Sequence, residues 1–191
     1  LDVQELLQRK KDAVERKEIY QALHSIGPVF VTTNYDQYLD DIAQQSGVVQ
    51  ESLVGKDISM SSVLSTRSTR VYYRKEDLTP EKLYEPGVVL HLHGSIEDLS
   101  SMVLTTEHYI RHYQNEYVVK FLTSLFAKKV VLFLGYGLAE EEILEYVLRK
   151  STPEQKATNE RKHFWLYPRM ARDNAAHSHL EAYFSNNFGV E

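Results

Sequence analysis

Apolar residues along this chain fall into two kinds of run. One kind is short, continuous and rich in β-branched and aromatic side chains: Val29-Phe30-Val31, Val88-Val89-Leu90 and Val130-Val131-Leu132-Phe133-Leu134. The other recurs at three- and four-residue spacing between charged positions. The first predicts strands buried on both faces, the second amphipathic helices. Residues 1–25 carry Leu6, Leu7, Val14, Ile19, Tyr20 and Leu23 among Lys10, Lys11, Glu15 and Arg16, which predicts a helix closed by Gly27-Pro28. Strand one is expected over residues 28–33, followed by a helix from Asn34-Tyr35-Asp36 to about residue 45 with Tyr38, Leu39, Ile42 and Ala43 inward.

The composition then shifts. From Gly47 to about Arg70 the chain is rich in Ser, Thr, Val and Gly, long for a plain connection, so a strand-rich insertion or a cover over a site is expected at about residues 47–75. Val71-Tyr72-Tyr73 reads as a short strand and Thr79-Pro80-Glu81 as a helix start with Pro in the first turn. Strand two is expected over residues 88–93, a helix from Thr105 with Tyr109, Ile110 and Tyr113, and another over 117–127 with Val118, Phe121, Leu122, Leu125 and Phe126 on one stripe. The run 130–134 is an unbroken apolar strand that feeds a helix over 138–149; a strand over 162–167 and a helix over 175–187 complete the pattern.

Strands separated by helices predict an α/β fold: a Rossmann-like, doubly wound parallel sheet with helices on both faces, in a single domain over 1–191. Such sheets bind ligands outside the carboxyl ends of their strands. Three strand ends are therefore candidates: Asn34 to Asp36, His93 to Ser95, and Gly135 to Gly137.

Composition narrows the chemistry. With 42% hydrophobic and 26% charged residues, the 191-residue chain can bury a sizeable core. Its net charge is -5 and its basic residues are scattered, so direct nucleic-acid binding is not expected. The absence of cysteine removes disulfides, a thiol nucleophile and cysteine-ligated zinc. No apolar run approaches the roughly 18 to 20 residues of a membrane span, and no signal-peptide pattern opens the chain, so a cytoplasmic location with no membrane partner is expected. Starting at Leu1, and closing on Phe188-Gly189-Val190-Glu191 as a turn before a further strand, the chain is read as a fragment of a longer one.

Asn34 and Asp36 stand just past strand one, where an amide can hold a hydroxyl or a water and a carboxylate can accept from an amide or ribose. The plainer alternative is that Asn34 makes a turn and Asp36 caps a helix. His93 precedes Gly94, so its ring is expected to meet solvent and ligand as a general base, whereas His91 is expected to be a satisfied core histidine. Gly135-Tyr136-Gly137 fails as a dinucleotide fingerprint because Glu140 takes the third glycine's place, with Glu141 and Glu142 after it. Three carboxylates would repel a pyrophosphate, so this turn is expected to approach ribose or base. His108 and His112, four apart beside Glu107, suggest a metal only superficially, since no third ligand stands at a defined spacing; His177 and His179 are weaker still, and no metal is expected.

These residues resemble the sirtuin-like superfamily, and most closely its zinc-less bacterial branch, often found in anti-phage defence proteins. Thr33-Asn34-Tyr35-Asp36 is similar to the sirtuin Gln-Asn-Ile-Asp segment, Leu92-His93-Gly94-Ser95 to its Leu-His-Gly-Ser segment, and Phe133-Leu134-Gly135-Tyr136-Gly137-Leu138 to its later glycine-rich turn. The three occur in family order. The resemblance implies NAD as the ligand, Asn34 orienting the nicotinamide ribose or an attacking water, His93 as general base, and Thr33, Asp36, Gly94, Ser95, Gly135, Tyr136 and Gly137 as binding residues. Zinc-containing sirtuins place four cysteines where this chain has none, so NAD cleavage to nicotinamide and ADP-ribose is expected; a non-catalytic NAD or ADP-ribose binding or assembly module is the alternative, and a protein deacylase or ADP-ribosyltransferase ranks behind both. By the same resemblance, the fold read here is expected to be missing the family's N-terminal first strand and its Gly-Ala-Gly loop. The expected partners are NAD, further fused domains and copies of the same chain.

Overall fold

The computed structural model describes residues 17–26, 29–40, 70–137, 163–167 and 174–191. Its described elements are mixed helices and parallel strands, and the chain divides into two compact units, residues 1–118 and 119–191. The expected helix over 138–149 and the stretch 47–69 lie outside the described residues.

In the first unit, strands β1 (Val29–Thr32), β2 (Arg70–Tyr72) and β3 (Val88–His91) form a parallel sheet in the order β1-β3-β2. Strand β3 is central and buried along its whole length, which is what its unbroken Val-Val-Leu run requires. It ends at His91, two residues short of the expected strand, so His93 belongs to the turn beyond it. Thr79 and Pro80 start a 3-10 turn (Pro80–Tyr84), in which Leu83 is buried.

Helix α1 (Lys17–Ile26) presents Tyr20, Leu23 and His24 to the unit, three and four residues apart on one face. His24 packs on Phe30 at 4.6 Å between centroids and its Nε2 lies 3.0 Å from the Leu39 carbonyl. Ile19, four residues before Leu23, is exposed. Helix α2 (Thr106–Gln114) is N-capped by Thr105, whose Oγ1 accepts from the His108 amide at 3.2 Å.

Helix α3 (Glu116–Lys128) buries Val118, Phe121, Leu122, Leu125 and Phe126, the predicted stripe. In the second unit, strands β4 (Val131–Leu134) and β5 (His163–Leu166) pair in parallel, and Phe126 of α3 packs against Phe133 and His163. Burial along β4 alternates rather than running unbroken: Phe133 is covered, while Leu132 and Leu134, with their partners Phe164 and Leu166, are exposed. Helix α4 (Asn174–Phe188) brings Phe184 against Trp165 at 4.9 Å. The closing turn does reach a strand: Val190 bridges His163 in parallel, and the Trp165 amide donates to the Glu191 carbonyl at 2.6 Å.

Candidate functional site

Strands β1 and β3 pair through Thr32 and His91, and the ladder continues one residue further where the Leu92 amide donates to the Thr32 carbonyl at 2.8 Å. Residues 33–36 and 93–95 therefore leave adjacent parallel strands at the same end. The loops are stitched together beyond that point. The Ile96 amide donates to the Tyr35 carbonyl at 3.1 Å, the Tyr35 hydroxyl donates to the Val103 carbonyl, and the Val103 amide donates back to the His93 carbonyl at 3.0 Å.

Asn34 is exposed, and its carboxamide makes no hydrogen bond among the described residues; its amide N–H donates to Thr32 Oγ1 at 3.1 Å. Thr33 beside it is half-buried. Asp36, also half-buried, accepts from the Tyr38 amide at 3.1 Å, the Asx-type turn that opens the following helical residues. One carboxylate oxygen is thus engaged locally.

His93 does not meet solvent as expected. Its ring is buried, with Nε2 at 2.8 Å from the Tyr113 hydroxyl and Nδ1 at 3.3 Å from the Tyr109 hydroxyl. The cause is α2, which presents Tyr109, His112 and Tyr113 from one face and encloses the imidazole on three edges, at 5.0, 5.8 and 6.0 Å between centroids. Gly94 turns the chain at φ +84, and a side chain there would meet the Ser101 backbone oxygen at 2.3 Å. Ser95 is wholly buried and offers a ligand no surface: its amide donates to Ser101 Oγ at 3.1 Å, and its hydroxyl accepts from the Glu97 amide at 3.4 Å.

His91 is the satisfied core histidine expected of it, and more. Its Nδ1 lies 3.0 Å from the Asn34 carbonyl, and its Nε2 lies 2.9 and 3.1 Å from the two carboxylate oxygens of buried Asp40. Burial opposes the imidazolium, but the Asp40 carboxylate and the Asn34 carbonyl outweigh it and raise the His91 pKa above 6.5. His112 goes the other way. Burial, then the neighbouring His93 and Lys75, depress its pKa from 6.5 to about 4, and its Nε2 has no hydrogen-bond partner among the described residues.

These opposed shifts predict a stability maximum. His112 binds fewer protons folded than unfolded between pH 4 and 6.5, so its contribution is present above 6.5 and lost as pH falls. His91, raised, contributes fully below 6.5 and loses that contribution as pH rises through its folded value. Urea unfolding from pH 4 to 9 should show an acid limb of about 2 to 3 kcal/mol. His112→Phe should flatten that limb and leave the alkaline one; a limb unchanged in the variant would remove His112 as its source.

In the second unit, Gly135 adopts φ +62, and among the described residues no atom lies within 4 Å of where a side chain would start at Gly135 or Gly137. Tyr136 is tied down: its ring stacks on Phe133 at 5.9 Å and its carbonyl accepts from Trp165 Nε1 at 2.8 Å. Sequence reasoning missed Asp40, Tyr109, Tyr113 and Ser101. The tyrosines carried a usable signal, because positions 109, 112 and 113 share a helical face.

The exposed Asn34 amide and the buried His93 ring stand past the carboxyl ends of adjacent parallel strands, the end at which open α/β sheets bind ligands. Residues 28–188 match the SIR2-like domain family, and the chain belongs to it. Membership makes its function NAD-related and its fold Rossmann-like. Among the described residues no group of three or more His, Cys, Asp or Glu could hold a metal ion, and no helix is long and apolar enough to cross a membrane.

Proposed function

We propose that this protein is an NAD glycohydrolase of the zinc-less branch of its family, cleaving NAD to nicotinamide and ADP-ribose as the effector domain of a larger bacterial defence protein. The carrying observation is Asn34: an exposed carboxamide just past the end of β1, next to the turn that holds His93. A dinucleotide's ribose end fits this lip, where Asn34 and the half-buried Asp36 offer an amide and a carboxylate to hydroxyls and a carboxamide.

The chemistry resembles glycoside hydrolysis, with positive charge building on the sugar ring as the glycosidic bond opens. The C–N bond breaks with its electron pair passing to the nicotinamide nitrogen, and the oxygen of water bonds the sugar carbon. The proton of that water goes to His93. Because both ring nitrogens face tyrosine hydroxyls, the proton reaches the ring through half-buried Tyr109 rather than directly. Asn34 orients the ribose or the water.

Asn34→Ala is expected to reduce nicotinamide release by about a hundredfold, in line with the loss of one preorganised polar group. Release measured by chromatography, unchanged in the variant, would take Asn34 out of the mechanism. The burial of His93 favours a second reading, a non-catalytic NAD or ADP-ribose binding module. Calorimetry with NAD decides between them, since saturable heat with no product supports binding alone.

A further inference from the structure

We propose that His91, buttressed by Asp40, is a positioning residue that fixes the peptide carbonyl of Asn34 and so aims its carboxamide. The inference rests on the role given to Asn34 above.

Asn34 sits in the first residues past β1, where no ladder hydrogen bond holds it, yet its peptide group is gripped from both sides. Its N–H donates to Thr32 Oγ1 at 3.1 Å within its own turn. Its carbonyl accepts from His91 Nδ1 at 3.0 Å, across the gap to the neighbouring strand. A carbonyl oxygen only accepts, so Nδ1 carries the proton of this bond. The opposite nitrogen faces the two oxygens of Asp40 at 2.9 and 3.1 Å, which accept as well. A ring with an acceptor on each side is doubly protonated, and Asp40 supplies the counter-charge that lets a buried imidazolium persist.

The arrangement is more than a filled core position requires. Asp40 is itself buried, and it stands on the short helical stretch after Asn34, so the ion pair closes a ring through both ends of the turn. His91 is anchored by β3, the central and most buried strand. The exposed amide is therefore referenced, through its own peptide group, to the central buried strand of the unit.

Two substitutions separate aiming from packing. His91→Asn keeps a donor where Nδ1 was and drops the link to Asp40; His91→Gln keeps a donor where Nε2 was and drops the link to Asn34. Aiming predicts that His91→Gln lowers kcat for NAD cleavage by on the order of 10- to 100-fold with KM nearly unchanged, while His91→Asn keeps most of the turnover. Equal losses in both, or losses that follow thermal stability, would overturn the proposal. A readout free of activity distinguishes this failure from failure of the NAD reading: the NMR signals of the Asn34 backbone carbonyl and side-chain amide. They should shift in His91→Gln and hold in His91→Asn whether or not the wild-type chain turns over NAD; signals that move alike in both variants overturn the aiming role.

Discussion

Gly94→Ala is expected to lower unfolding stability by about 4 kcal/mol or more. Two costs add. The backbone at φ +84 is left-handed, which an L-residue occupies at a cost of about 1 to 2 kcal/mol. The added carbon would also lie 2.3 Å from the Ser101 carbonyl oxygen and 2.6 Å from its Oγ. The hydroxyl can rotate away only by giving up its bonds to the Ser95 amide and the Asp98 carbonyl, and the carbonyl is held because Ser101 closes the 3-10 turn (Leu99–Ser101) that Asp98 caps. Relief must come from moving the turn, and the turn carries His93 and Ser95. Gly135→Ala is the control, with a similar φ of +62 and no atom of the described residues within 4 Å of the added carbon, and should cost only about 1 kcal/mol. Urea denaturation of both variants checks the pair, and equal losses would mean that the close approach at Ser101 yields freely.

His93→Gln should lower NAD cleavage by about a hundred- to ten-thousandfold, the range of a lost general base. Gln retains a donor and an acceptor near the position of Nε2, so the bond to Tyr113 can survive and the enclosure by α2 need not collapse. That separates proton transfer from packing: a variant that unfolds at the wild-type urea concentration but no longer releases nicotinamide supports the base role. Full activity in a folded His93→Gln would assign the ring to holding α2 and leave Asn34 to orient water alone.

Much of this was legible in the residues. β-Branched runs marked β1, β3 and β4, Thr105 marked the start of α2, and Thr79-Pro80 marked a helical turn, each through a local mechanism that needs no partner. The end of β3 was misplaced because Leu92, buried like the strand residues before it, continues the apolar run into the turn. The exposure of His93 was misjudged for a related reason. Gly94 does free the chain to turn, but what covers the ring comes from α2, sixteen to twenty residues away. Tyr109 and Tyr113 looked like ordinary amphipathic positions, and nothing in their spacing says which strand end they will face. Asp40 was equally silent, since a carboxylate six positions after Asn34 reads as helix surface until His91 is seen beneath it.

The all-parallel sheet also has a kinetic meaning. Central β3 meets β2 at Arg70 and Val88, 18 positions apart (88 less 70), but meets β1 at Val29 and Val88, 59 positions apart (88 less 29). Closing the longer loop costs about 1 kcal/mol more in chain entropy. The lip that carries Asn34 is thus assembled by the slower of two pairings, and a newly made chain would present a zipped β2–β3 ribbon well before it could engage a ligand.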